Sequence, residues 1–112
     1  MDITATQDKE CTILALSGRM DATTTAEFDT AAQAALQEGH RQILVDLKDL
    51  VYMSSAGLRS LLGLAKKLKT AQGRLCCCCL QPMVAEVFRI SGFDRILSVH
   101  VDREAGLAAL CA

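Results

Sequence analysis

The chain has 112 residues, of which 51% are hydrophobic and 22% charged, and a formal net charge of -1. That length supports one core and leaves no room for a separate catalytic or regulatory domain, so residues 1–112 read as a single domain. A charge near zero without long runs of one sign excludes the electrostatic footprint of nucleic-acid or anionic-lipid binding. The polar start MDITATQDKECT lacks the apolar segment of a secretory signal, and no stretch is long enough to span a membrane, so the expected location is cytoplasmic.

Ile3–Gln7 and Cys11–Ser17 read as a strand hairpin around Asp8-Lys9-Glu10, followed by Gly18 and a loop over Arg19-Met20-Asp21-Ala22. Thr24-Thr25-Ala26-Glu27 has the spacing of a capping box and predicts a helix start, with Phe28, Ala31, Ala32, Ala35 and Leu36 as its apolar stripe and Gly39 as its stop. His40 falls in a solvated loop. Ile43–Leu47 is a nearly continuous apolar run, as expected of an inner strand covered on both faces. It leads through KDLVYM to Ser54-Ser55-Ala56-Gly57, where a second helix begins, with Leu58, Leu61, Leu62, Ala65 and Leu68 on its buried side and Arg59, Ser60, Lys66, Lys67 and Lys69 facing water.

Leu75–Leu80 is the next strand, and Pro82 suits the first residue of a third helix, which Ser91-Gly92 ends. A short strand at Leu97–Val101, carrying His100, and a last helix over Arg103–Cys111 capped by Asp102 complete the chain. The order β-β-α-β-α-β-α-β-α predicts an α/β domain with a mixed, mostly parallel sheet and about four helices, mainly on one side. Leu14, Leu16, Ile43, Val45, Leu61, Leu62, Val87 and Phe88 are the expected core.

Four consecutive cysteines, Cys76 to Cys79, occupy the fourth strand. Alternation along a strand would put two thiols on each face, whereas a four-cysteine zinc site needs its ligands to converge. The expectation is therefore core packing, with no metal and no disulfide within the run. No other chemistry assembles: there is no glycine-rich phosphate loop, no G-x-S-x-G elbow and no base placed for a serine nucleophile. Asp46 and Asp49, without a cleft signal, read as solvated. The chain is not expected to be an enzyme or to need a cofactor.

The serine corner is the most informative feature. Backbone N–H groups without intrahelical partners and the positive end of the helix dipole meet two hydroxyls there, so a serine can either cap the helix or carry a phosphate. The segment DLKDLVYMSSAGLRSLLGLAKKL closely resembles the signature of the STAS-domain anti-sigma factor antagonists, SGRMDATTTAEF resembles their Gly-x-x-Asp loop, and QPMVAEVFRISGFDRILSVH their third helix and final strand. The resemblance implies a binding module that engages an anti-sigma factor acting as a serine kinase, is phosphorylated at Ser55, and is restored by a serine phosphatase. It also places Asp21 and Ser54 at the partner-binding corner, and the exposed first turn of the second helix adds contacts at Gly57, Leu58 and Arg59. Ser54 stands where many members have Asp, and Ala56 replaces a second hydroxyl. The alternative within the same fold is an accessory subunit of a membrane transport complex that works without phosphorylation.

Overall fold

A computed structural model describes the backbone of residues 1–111 and the side chains of residues 1–110. The elements are β1 (Asp2–Asp8), β2 (Cys11–Met20), α1 (Thr25–Gln37), β3 (Gln42–Met53), α2 (Ser55–Thr70), β4 (Arg74–Cys78), α3 (Pro82–Ser91), a 3-10 turn (Phe93–Arg95), β5 (Ser98–His100) and α4 (Arg103–Cys111). The strands form one sheet in chain order, with β1 antiparallel to β2 and every other pairing parallel. The predicted order of elements is the observed one.

The apolar residues divide between the two faces of the sheet as their alternation requires. One face carries Leu14, Leu16, Ile43, Val45, Leu47 and Cys77, covered by α1 through Phe28, Ala32 and Ala35, by α2 through Leu58, Leu61, Leu64 and Leu68, and by α3 through Val84 and Phe88. The other face, with Ile13, Leu44, Cys76 and Cys78, is covered by α4 through Leu110. Full burial of Phe28 and Phe88 contributes roughly 1.5–3 kcal/mol for each side chain. Most of the expected core is buried, but Leu62 and Val87 are only half-buried, and Leu64 takes the place in the α2 stripe that the sequence reading gave to Leu62.

Several boundaries differ from expectation for identifiable reasons. Gly18 does not end β2. It sits at φ +100° in an irregular stretch, with register shifts between Ala15 and Ser17 and between Gly18 and Arg19, after which the strand continues to pair Arg19 with Tyr52 and Met20 with Met53. The strands β2 and β3 therefore run several residues beyond their apolar centres and end together. The Thr24–Glu27 capping box does not form. The Thr24 hydroxyl accepts from the Asp21 N–H at 2.9 Å and lies 3.0 Å from the Arg19 carbonyl, to which it donates, so it is committed to the loop before the helix. Asp102 does cap α4, its Oδ1 accepting from the Ala105 N–H at 2.8 Å, and Pro82 occupies the first turn of α3.

The cysteine run also departs from simple alternation. Cys77 faces the α1–α3 side and Cys76 and Cys78 the α4 side, but the strand ends at Cys78 and Cys79 adopts a left-handed backbone, φ +63°. That turn packs Cys79 against the same cluster as Cys76 and Cys78. The thiols divide three to one instead of two and two.

Candidate functional site

The joint ends of β2 and β3 build the serine corner. The Ser54 N–H donates to the Met20 carbonyl at 2.9 Å, which sets the loop beginning at Asp21 beside the start of α2. Ser54 is the N-cap, with extended φ and ψ of -93° and 175°, and its carbonyl accepts from the Leu58 N–H at 3.1 Å to open the helix. Gly57 is required by proximity: a Cβ there would lie 2.9 Å from Met53 Cγ and 3.3 Å from the Met20 carbonyl oxygen. Its absence lets the first turn of α2 close onto the ends of both strands.

The two hydroxyls differ sharply in environment. Ser54 makes no side-chain cap, and its Oγ is buried without a hydrogen-bond partner among the described residues. Ser55, the first helical residue, is exposed. The N–H groups of residues 55–57 precede the first intrahelical acceptor, so Ser55 stands in the positive field of the helix end. Arg59, one turn on, is also exposed, and it lines a cleft of about 340 Å³ between α1 and α2 together with Asp29, Gln33, Ser60, Gly63 and Lys67. Leu58, expected at a partner contact, is only 4% exposed and packs in the core, as does Met53.

Asp21 is shaped by its own loop. Its Oδ1 accepts from the Thr23 hydroxyl at 2.6 Å and from the Thr23 N–H at 2.9 Å, closing an Asx turn. These bonds, the Thr23 hydroxyl first, hold its carboxyl below the ordinary value of 3.8 and keep it charged at neutral pH. Arg19 lies across the Tyr52 ring, 4.2 Å from its centroid, one pair before the strand ends at Met20 and Met53. Ser54, Ser55, Gly57 and Arg59 thus lie together at the N-cap and the start of α2, with Asp21 on the adjoining loop.

Asp46 is a second polar centre, and the sequence reading missed it. It was expected to be solvated, yet it is only 5% exposed within β3, opposite Ala15 on one side and Cys78 on the other. Its Oδ2 accepts from Arg103 Nε at 2.6 Å and its Oδ1 from the Lys48 N–H at 2.9 Å. Burial opposes ionisation, but the Arg103 hydrogen bond, the Lys48 N–H and the Arg103 charge outweigh it and leave the carboxyl below 3.8. The signal available in the sequence was an acid inside an apolar strand, which requires a partner. That partner lies 57 residues away.

The STAS domain profile matches residues 2–106. The chain belongs to the STAS-domain family. It is 42% identical over 97 residues to BtrV of Bordetella bronchiseptica, described as a candidate anti-sigma factor antagonist, covering 87% of this chain and 84% of that protein. An anti-sigma factor antagonist from Mycobacterium paratuberculosis has the same fold, with a TM-score of 0.92, 17% identity and coverage of 99% of this chain and 94% of that one. The phosphorylated form of the Bacillus cell fate determinant SpoIIAA superposes with a TM-score of 0.71 at 22% identity, covering 93% of this chain and 96% of that one. This branch of the STAS family consists of regulatory binding proteins and not enzymes. Among the described residues no helix is long and apolar enough to cross a membrane.

Proposed function

We propose that this STAS protein is an anti-sigma factor antagonist that binds an anti-sigma factor through the Ser55 corner, and that phosphorylation of Ser55 by that partner, acting as a serine kinase, releases it. A metal-dependent serine phosphatase would restore the binding form. The observation that carries this reading is the contrast within the corner: Ser55 is exposed at the start of α2 while the Ser54 Oγ is buried. An acceptor must reach a kinase active site, and only Ser55 does so without opening the fold. The names of the sequence relatives support the antagonist role, and the existence of a phosphorylated form of SpoIIAA supports control by phosphorylation.

The switch follows from charge. A phosphate adds roughly -1.5 to -2 charges and three acceptor oxygens. At the first residue of a helix, with Arg59 one turn away, that charge is favourable for the fold. Against a partner surface that fits the neutral corner, the same charge must be desolvated without compensation. The binding surface in this reading comprises Ser55, Arg59, the Asp21 loop and the adjoining α1–α2 cleft, whereas Gly57 and Leu58 support it from beneath.

The test is a binding titration with the cognate anti-sigma factor, followed by mapping of the phosphorylated residue. Ser55→Ala should bind and resist phosphorylation, Ser55→Asp should bind weakly, and Ser54→Ala should remain a substrate. Phosphate mapped to Ser54, or equal affinities for the wild type and Ser55→Asp, would overturn the proposal.

A further inference from the structure

The left-handed turn at Cys79 has a chemical consequence on the face opposite the serine corner. It brings Cys79 Sγ to 3.6 Å from Cys78 Sγ, toward which its thiol donates. Both sulfurs lie with a carboxylate oxygen of Asp46 in a cluster whose ligand atoms are all within 4.8 Å of one another. The geometry points to Asp46, Cys78 and Cys79 as three ligands of a thiophilic divalent cation of the zinc type.

The sulfur separation is the first argument. Two thiolates bound to one zinc at about 2.3 Å with a tetrahedral angle stand about 3.8 Å apart. The observed 3.6 Å meets that spacing without rearrangement of the strand end. Consecutive residues in a regular strand point to opposite faces, so the left-handed Cys79 is what makes a chelating pair from neighbours.

The carboxylate is the second argument. Arg103 and the Lys48 N–H each take one acceptor position on Asp46, and an ionised carboxylate offers about four. A position remains for a cation, and the two existing bonds fix the carboxylate plane as an outer shell does for a ligand. Charge also balances. Two thiolates and a carboxylate around a dication leave one negative charge, which Arg103 neutralises at the Asp46 Oδ2 it already contacts.

Access is the third. Asp46, Cys79 and Arg103 line a surface cleft of about 400 Å³ with Lys48, Asp49 and Asp102, so a cation can enter and water can take the fourth position. Three protein ligands with one open place is a common zinc arrangement. The expectation of no metal in the cysteine run rested on strict alternation and on a four-thiol site. Neither restriction applies to two thiols and a carboxylate.

Co²⁺ alone, added to the reduced full chain, provides the probe, because thiolate ligation gives it an intense near-ultraviolet charge-transfer absorption. One equivalent of Co²⁺ should produce that band, excess Zn²⁺ should abolish it, and Zn²⁺ should raise the melting temperature. Cys79→Ser, at a half-buried position, should lose most of the band. Its affinity should fall by more than the roughly 10–100-fold that follows loss of an outer-shell partner. Asp46→Asn should weaken binding, and Cys76→Ala, on the same face of β4 but outside the cluster, should keep the band. Absence of the thiolate band in the wild type, an unchanged band in Cys79→Ser, or equal loss in Cys76→Ala and Cys79→Ser would overturn the proposal. Circular dichroism of each variant separates loss of ligand from loss of fold.

Discussion

Strand β3 serves two polar centres on opposite sides of the sheet, and they are finished in opposite ways. Asp46 is nearly buried on the α4 side, with both oxygens hydrogen-bonded and its charge matched by Arg103. At the end of the same strand the Ser54 Oγ is buried with no partner among the described residues, and Ser55 beside it faces water. A centre whose charge is paired ties elements together, here β3 to α4. A corner with an unpartnered hydroxyl and free N–H groups is the place where, in the function proposed above, a covalent change would occur without disturbing the core.

The largest effect should come from charging the corner. Ser55→Asp should weaken partner binding by about 3 kcal/mol, on the order of a hundredfold, because the charge is desolvated in the complex. Its unfolding free energy should shift by no more than about 0.5 kcal/mol, in the stabilising direction, since an acid in the first turn suits the dipole. Denaturant unfolding and calorimetric titration of one preparation measure both. A stability loss as large as the binding loss would erase the distinction between the two centres.

Removing Arg103 attacks the paired centre. Arg103→Met should destabilise by roughly 2 kcal/mol, below the 3–5 kcal/mol of a fully buried pair because Arg103 is 47% exposed. The pH dependence has a definite sign. Asp46 is held below its unfolded value of 3.8, so its contribution is present above about pH 4 and is lost as pH falls through the lower folded value. In chelator, the stability gap between wild type and Asp46→Asn should be flat at neutral pH and narrow in acid. A gap that widens in acid would contradict the ionised pairing.

Gly57→Ala should cost about 1 kcal/mol. Overpacking against Met53 and the Met20 carbonyl, typically 1–3 kcal/mol, exceeds the helix-propensity gain of up to about 1 kcal/mol. Ser54→Ala is the smallest and most diagnostic change. A working N-cap loses about 1 kcal/mol on substitution by Ala, but this hydroxyl makes no cap bond, so the variant should equal or exceed the wild type by up to about 1 kcal/mol. A clear loss in thermal denaturation would reveal a bond at Ser54. Thiol labelling compares the two faces of the sheet at the end of β4. Burial, with a smaller effect from Cys76, pushes the Cys77 thiol up to about 12, so native protein should alkylate at Cys79 well before Cys77.

The sequence made the order of elements legible because apolar periodicity reports directly on which face of each helix and strand is covered. It also marked the start of α2, where an extended apolar strand meets two serines and a glycine. The failures have two causes. The length of β2 beyond Gly18 depends on pairing with β3, and the burial of Asp46 on an arginine in the last helix, partners far away along the chain. The capping box is idle for a local reason, because the Thr24 hydroxyl is drawn to the backbone of Asp21 and Arg19 in the loop just before it, a loop conformation that apolar periodicity does not report. Cys79 is a further case, since nothing in four identical residues says which one leaves the strand.

The two register shifts between β2 and β3 give the domain a length constraint that substitution tables would not show. Met20 reaches Ser54 only because β3 carries one extra residue at each shift, so that Ala15 to Met20 and Asp46 to Met53 end level. A point change in either strand leaves that count intact, whereas inserting or deleting one residue between positions 15 and 20 would displace Met20 from Ser54 and turn neighbouring side chains to the wrong face. Divergence in this stretch should therefore proceed by exchange of residues at constant length. Changes in length belong in turns such as 38–41 and 71–73, where neither partner of the corner is moved.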